Sequence, residues 1–484
     1  MLDARFLVLG FPSGARPNPR PTPRSPSIRY VVIIDGEHYP PVVTAALDDI
    51  ERDGDEVVAA LLAGGREKLP GSGTPDYGGR KVLSGDDPRA VLDAALAPGE
   101  IEAVIDLSDE PVLDYRTRHQ LAAVALARGV PYRGSDFTFM PPPRPRIAAK
   151  PTVAVIGTGK RTGKTAVAGF AARALTAAGI APIVVAMGRG GPAEPAVLRG
   201  DEIELDAHAL LELADSGEHA ASDYVEDALL GRVPTVGCRR CGGGLAGGVE
   251  HSNVAAGLVL ANDLPGDVIL LEGSGSSIPP AHADATILVV PASVPDEYLL
   301  GYMGPYRLLL ADSVVVTMCE DPFGSPSRVA EVSSHIRSAY RSAVDEGTRG
   351  EIELVRTVFR PVPTSSIRGR EAFVATTAPE AVGDQIRRHL ETEHGCRVVG
   401  ISHALSDRSR LEQDMASIGD KADTLLVEIK AAGIDVATRA ALKAGMDVVY
   451  MDNEPRGVVG EKDPAALIVR TADLAIDRYR RARA

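Results

Sequence analysis

An α/β fold with mostly parallel sheets is what the sequence predicts, on three observations. Short apolar strands alternate with helical stretches along most of the 484 residues, as in successive βαβ units. Glycine-containing turns follow directly on strand ends, where open α/β sheets hold their ligands. A proline-rich joint at 140–149 (MPPPRPRIAA) divides the chain, since prolines punctuate the boundaries between folded units.

The elements follow in order. Residues 1–28, with Pro, Arg and Ser from 12 onward and little to bury, read as a disordered leader. An N-terminal α/β domain is expected over 29–140, from a strand at 29–35, a helix at 42–52, strands at 55–62 and 101–106, and a helix at 115–129. A second domain over 150–380 opens with a strand at 152–156, a glycine-rich loop and a helix at 166–178. It continues with strands at 181–187, 268–271, 285–290, 313–318, 353–359 and 372–376. A C-terminal α/β segment, 381–484, carries strands at 397–401, 424–429 and 447–451 and could equally extend the central sheet.

Composition narrows the function classes. A net charge of −14 and a pI near 5.3 argue against nucleic acid or an anionic membrane as the main partner. No apolar run is long enough to suggest a membrane-spanning helix. Four cysteines are too few for a disulfide framework in a chain of this size, so a cytoplasmic location is expected.

The strongest chemical signal lies between Val153 and Leu175, where an apolar strand runs into GTGKRTGKT and a helix starts at once. Such a loop cradles phosphates by backbone N–H groups and the helix N-terminus; Lys164 would reach the β- and γ-phosphates of ATP, and Thr165 would offer its hydroxyl to Mg²⁺. Gly157, Thr158, Gly159, Arg161, Thr162, Gly163, Lys164 and Thr165 form the expected nucleotide cradle, within a P-loop NTPase-like parallel sheet core. The usual spacing wants glycine at 158, where Thr158 stands, and the first glycine is Gly157. That variant resembles the loop of dethiobiotin synthetase and of amidotransferase-type cobyrinic acid synthetases. Lys160 adds a further cation suited to a transferring phosphoryl group.

Glu272 ends the strand DVILLE and precedes GSGSS, so a buried strand delivers a carboxylate toward Mg²⁺. Arg189 in MGRGGP, and Arg239 and Arg240 in GCRRCGGG, read as arginines on glycine loops that hold an anionic second substrate. Cys238 and Cys241 leave zinc or redox chemistry as the competing reading of that motif, although no second CxxC accompanies them. Asp35, Glu37 and His38 crowd the end of the first strand and look like a site of open role. His403, Asp407 and Asp452 occupy similar positions, where ordinary loop roles suffice.

With these residues in view, the chain from about Arg29 onward resembles cyclic 2,3-diphosphoglycerate synthetase. The segments that carry the resemblance are IDGEHYPP at 34–41, IGTGKRTGKTAV at 156–167, MGRGGP at 187–192, GCRRCGGG at 237–244 and LEGSGSS at 271–277. The resemblance implies ring closure between the two phosphates of 2,3-diphosphoglycerate at the expense of ATP. Lys160, Lys164, Arg189, Arg239 and Arg240 would then act on the phosphates, with Mg²⁺ at Thr165 and Glu272. A twofold homodimer is expected. A kinase of a phosphoglycerate-like acid, and a regulatory nucleotide switch or metallochaperone, are the alternatives that the same loop allows.

Overall fold

The computed structural model describes residues 27–69, 75–203, 206–216, 222–341 and 351–484. Residues 1–26 of the expected leader lie outside these. The N-terminal unit has strands β1 (Arg29–Ile34), β2 (Glu56–Leu62), β3 (Val82–Leu83), β4 (Ala103–Asp106), β5 (Tyr132–Arg133) and β6 (Thr138–Phe139). They form one sheet in the order β3-β2-β1-β4-β5-β6, parallel except for β6. The order turns back between β1 and β4, so the crevice of this doubly wound sheet opens where Asp35 and the segment after Asp106 leave their strands.

The remaining strands are β7 (Thr152–Gly157), β8 (Pro182–Gly188), β9 (Ala196–Arg199), β10 (Pro234–Cys241), β11 (His251–Ser252), β12 (Val268–Glu272), β13 (Ala285–Pro291), β14 (Ser313–Thr317), β15 (Glu353–Pro363), β16 (Glu371–Ala375), β17 (Arg397–Ser402), β18 (Thr424–Glu428) and β19 (Asp447–Gly457). They make one 13-stranded sheet, β11-β10-β8-β12-β7-β13-β14-β15-β19-β18-β16-β17, with β9 beside β10. Every residue of β7, β8 and β12 is buried, as expected for parallel strands covered by helices on both faces.

β15 belongs to two neighbourhoods. Its first residues pair in parallel with β14, and from Thr357 to Pro363 it pairs antiparallel with β19. Direction therefore reverses across this ribbon, and β16, β17 and β18 form a parallel group beyond it.

The helix Tyr115–Ala127 shows why the two sheets hold together. Residues Leu121, Ala122, Ala123, Val124, Ala125 and Leu126 are all buried, and they share one core with Ile33 and Leu61 of the first sheet and Ile156 and Leu288 of the second. A stretch of helix buried on all sides, as at 121–126, belongs between layers rather than at a surface.

The GCRRCGGG segment departs from the sequence expectation. It is not a loop throughout: through Cys241 it is strand β10, in register with β8 from Thr235↔Val184 to Arg239↔Gly188. Parallel pairing along β8 supplies the ladder that its glycine and arginine content does not advertise, a case of context overriding propensity. Only the residues from Gly242 onward form a loop.

Candidate active site

Four parallel strands deliver the site. β7 ends in the phosphate loop, and the helix Lys164–Ala177 begins at the lysine itself. Gly163 has φ +88°, and a Cβ there would lie 2.3 Å from the Phe359 ring, so the turn tolerates only glycine on two counts. The Thr317 hydroxyl of β14 donates to the Thr162 carbonyl at 2.8 Å and fixes the loop from the other side. Lys164 is buried and donates to the Gly159 carbonyl at 2.9 Å. Burial pushes its ammonium down to about 8; Glu272 and Asp223 oppose that shift, and Arg189 and Arg240 reinforce it. Lys160 and Arg161 are exposed on the outer turn, Arg161 with φ +61°.

Glu272 sits buried at the end of β12. Its carboxyl is pushed up to about 7, by burial first and then by Asp223, against hydrogen bonds from Asp227 and Thr165 and the charge of Lys164. Asp227 is driven well above the usual carboxylate range by burial and by Glu272. One oxygen of Glu272 and both oxygens of Asp227 are buried without an accepted hydrogen bond. Carboxylates packed this way suit a hard divalent cation, which would relieve their repulsion, so Thr165 and Glu272 fit Mg²⁺.

Sequence reasoning missed Asp223 and Asp227. Both stand on the helix Asp223–Gly231 with Glu226, which Lys430 contacts at 2.7 Å from the C-terminal unit. Acids at positions i, i+3 and i+4 share one helix face, and that spacing was the available signal.

Arg189 leaves the end of β8, and Arg240 leaves β10. A Cβ on Gly275 would lie 2.9 Å from Arg189 Nη2 and 3.3 Å from Arg240 Nη2, so the two guanidinium groups flank this glycine. Arg240 donates to the Ser274 carbonyl at 2.8 Å, while its Nε is buried without a partner. Burial and the neighbouring Arg189 lower its pKa from the usual guanidinium value. Arg239 is the next residue on a strand and projects from the opposite face, exposed. The structure brings Arg189 and Arg240 together and leaves Arg239 apart from them.

The strand geometry also bears on the CxxC. Cys238 is buried and Cys241 exposed on opposite faces of β10, so the two sulfurs do not converge on one ion. Burial alone pushes the Cys238 thiol up to about 12, which disfavours the thiolate that metal or redox chemistry needs.

The other candidates find partners within the fold. Asp35 is fully buried; burial would raise its pKa, but backbone N–H groups of Asp109, His38 and Glu37 and the His38 ring together hold it below the usual carboxylate value. Asp407 caps the helix Arg408–Ile418, Asp452 pairs with Arg173 at 2.7 Å, and His403 Nδ1 lies 2.6 Å from the Ala378 carbonyl.

Against known proteins, three family models match: cyclic 2,3-diphosphoglycerate synthetase N-terminal domain over residues 29–140, its P-loop domain over 152–345 and its C-terminal domain over 363–454. A cyclic 2,3-diphosphoglycerate synthetase from Methanothermus fervidus is 42% identical over 465 residues, covering 93% of this chain and 98% of that one. The chain belongs to the cyclic 2,3-diphosphoglycerate synthetase family. Relatives of the same description from Rubrobacter xylanophilus (46%; 88% of this chain and 94% of that one) and Methanothermobacter thermautotrophicus (44%; 91% and 95%) agree. The chain is thus a synthetase with a P-loop domain, on the α/β fold expected of it. Among solved structures, LpxK from Aquifex aeolicus in complex with ATP is similar at 12% identity and a TM-score of 0.39, covering 80% of this chain and 99% of that one, too low to bear on the site. No described helix is long and apolar enough to cross a membrane.

Proposed function

We propose that the chain uses ATP to close a phosphoanhydride ring between the two phosphates of 2,3-diphosphoglycerate, releasing ADP and phosphate. The observation that carries this reading is the placement of Arg189 and Arg240, flanking Gly275 and close enough to Lys164 to depress its pKa. One end of the site thus suits a nucleotide phosphate, and the other a second anion. The substrate carries two phosphate monoesters of about −1.5 to −2 charge each, and planar guanidinium groups answer that charge bidentately.

A phosphate oxygen of the acid attacks the γ-phosphorus of ATP, and the bond to ADP breaks. An oxygen of the second phosphate then attacks the phosphorus that bears the sugar-acid oxygen. The ring anhydride forms, and inorganic phosphate leaves. Lys164 and the loop N–H groups hold charge on the transferring group. Arg189 and Arg240 fold the acid so that its two phosphates meet, where orientation lowers most of the barrier. Lys160, exposed on the outer turn of the loop, meets the substrate from the rim, whereas Arg239, on the opposite face of β10 from Arg240, does not. Held at Thr165 and Glu272, Mg²⁺ would supply neutralisation of the nucleotide phosphates. A cytoplasmic homodimer completes the reading, in keeping with four free cysteines.

Phosphorus NMR on the protein with Mg²⁺-ATP and 2,3-diphosphoglycerate tests it. New anhydride resonances with equimolar ADP and phosphate are expected. ADP without a cyclic product would replace ring closure by kinase or uncoupled ATPase chemistry, and no ATP consumption would overturn the reading.

A further inference from the structure

Arg307 lies on the helix Gly304–Leu310, is 5% exposed, and belongs to none of the motifs above. A buried guanidinium is ordinarily paired with a carboxylate, because desolvating an unpaired charge is costly. Among the described residues no carboxylate bonds to this one. Its donors go to backbone carbonyls instead: Nε and Nη2 to Ser276 at 3.0 and 2.6 Å, Nη1 to Met303 at 2.8 Å, and Nη2 to Leu245 at 3.4 Å.

Ser276 and Leu245 belong to the two loops that carry the acid site. Residues 242–248 follow Arg240 in β10, and residues 273–277 follow Glu272. The loops are laced together where Ile278 N–H donates to the Gly247 carbonyl at 2.9 Å, and a Cβ on Gly247 would lie 3.1 Å from Arg307 Nη2. Arg240 grips the same pair of loops from the other side, through the carbonyls of Ser274 at 2.8 Å and Gly242 at 3.3 Å. Five of the seven residues at 242–248 are glycine, so this segment has unusual freedom to lose when it is ordered.

We propose that Arg307 is a positioning residue for the acid substrate: its buried guanidinium clamps the two glycine loops together and so sets Arg240 and Arg189 at the spacing of a bisphosphate. The N-terminal unit seats this clamp. Gln120 of the helix Tyr115–Ala127 donates to the Leu300 carbonyl at 3.0 Å, and Tyr115 packs on Tyr302 with ring centroids 6.0 Å apart, just before the helix that bears Arg307. Burial lowers the Arg307 pKa to about 10, still charged at neutral pH. Lys164 has its own supports at Gly159 and Thr162, so the clamp acts on acid binding and not on ATP binding.

The inference rests on the reading that Arg240 and Arg189 hold the acid, and the test separates the two. Arg307→Met, Arg307→Lys and Arg240→Ala are made in the full-length protein, with KM for each substrate and Tm measured. Arg307→Met should raise KM for 2,3-diphosphoglycerate by about 10- to 100-fold, the scale of hydrogen bonds from a charged donor, with KM for ATP unchanged. Arg307→Lys, which keeps the charge and part of the donor set, should recover part of that loss and decides the matter by the same KM ratio if the methionine variant does not fold. A lower Tm with both KM values unchanged, or with both raised equally, would make Arg307 merely structural and overturn the proposal. If Arg240→Ala raises the acid KM while neither Arg307 variant does, the clamp alone fails; if Arg240→Ala is also silent, the acid site itself is misplaced.

Discussion

The molecule has two sheet mouths of the same kind, and they use their charged residues in opposite ways. At the mouth of β1 and β4, Asp35 accepts from the backbone of Glu37, His38 and Asp109 and from the His38 ring, and His38 reaches on to Asp109 at 3.3 Å. What that mouth leaves over is a buried Tyr77 hydroxyl and the Arg118 Nε, the latter still 3.4 Å from an Asp106 oxygen. At the mouth of β7, β8, β10 and β12, Glu272 and Asp227 keep buried oxygens that accept no hydrogen bond, and Arg240 keeps a free Nε. Charges that satisfy one another fix a backbone, whereas charges held near one another and left unsatisfied await a ligand. Position at a strand end does not separate the two cases; the bonding state does.

The contrast breaks most visibly at Lys164. Lys164→Ala should lower turnover by at least about 10²- to 10³-fold, as losing one preorganised charge does, while Tm holds or rises because a desolvated cation has gone. Steady-state assay with thermal melting checks both; a clear fall in Tm would class this mouth with the other. Glu272→Gln should raise the Mg²⁺ concentration for half-maximal activity by about tenfold or more, measured by metal titration. Unchanged activity at limiting Mg²⁺ would remove Glu272 from the metal site.

The smallest kinetic effect is expected at the first mouth. Asp35→Asn should lower Tm and leave both KM values alone. The pH dependence follows from its depressed pKa. Stabilisation by the carboxylate is fully present above the unfolded value, about 3.9, and fades as pH falls through the lower folded value. Melting curves of wild type and Asp35→Asn should therefore converge once the pH has fallen through that folded value. A gap that persists there would mean that the carboxylate's charge is not what stabilises this mouth.

Much of this was legible in the sequence, and the unread part has physical reasons. Strands with dense apolar composition, such as those at 152–156 and 268–271, declared themselves, as did a lysine and a glutamate at strand ends. β10 did not, because a strand carrying Gly237, Arg239 and Arg240 is made by its neighbour β8 rather than by its own residues. The same ladder separates Arg239 from Arg240, which adjacency in sequence had grouped. Arg307 was invisible because an arginine in a leucine-rich helix acquires meaning only from carbonyls 31 and 62 residues away. The role of Asp35 stayed open because an acid that holds a turn and an acid that holds a ligand look alike in one dimension.

The helix Tyr115–Ala127 has a calorimetric consequence. Its six consecutive buried residues face both sheets at once, so detaching the N-terminal unit would expose apolar surface at about 1.5–3 kcal/mol for each large side chain uncovered. The first sheet has no inexpensive way to melt alone, and heating should trace a single endotherm shared by the two units, with the glycine loops losing their support only when everything else does.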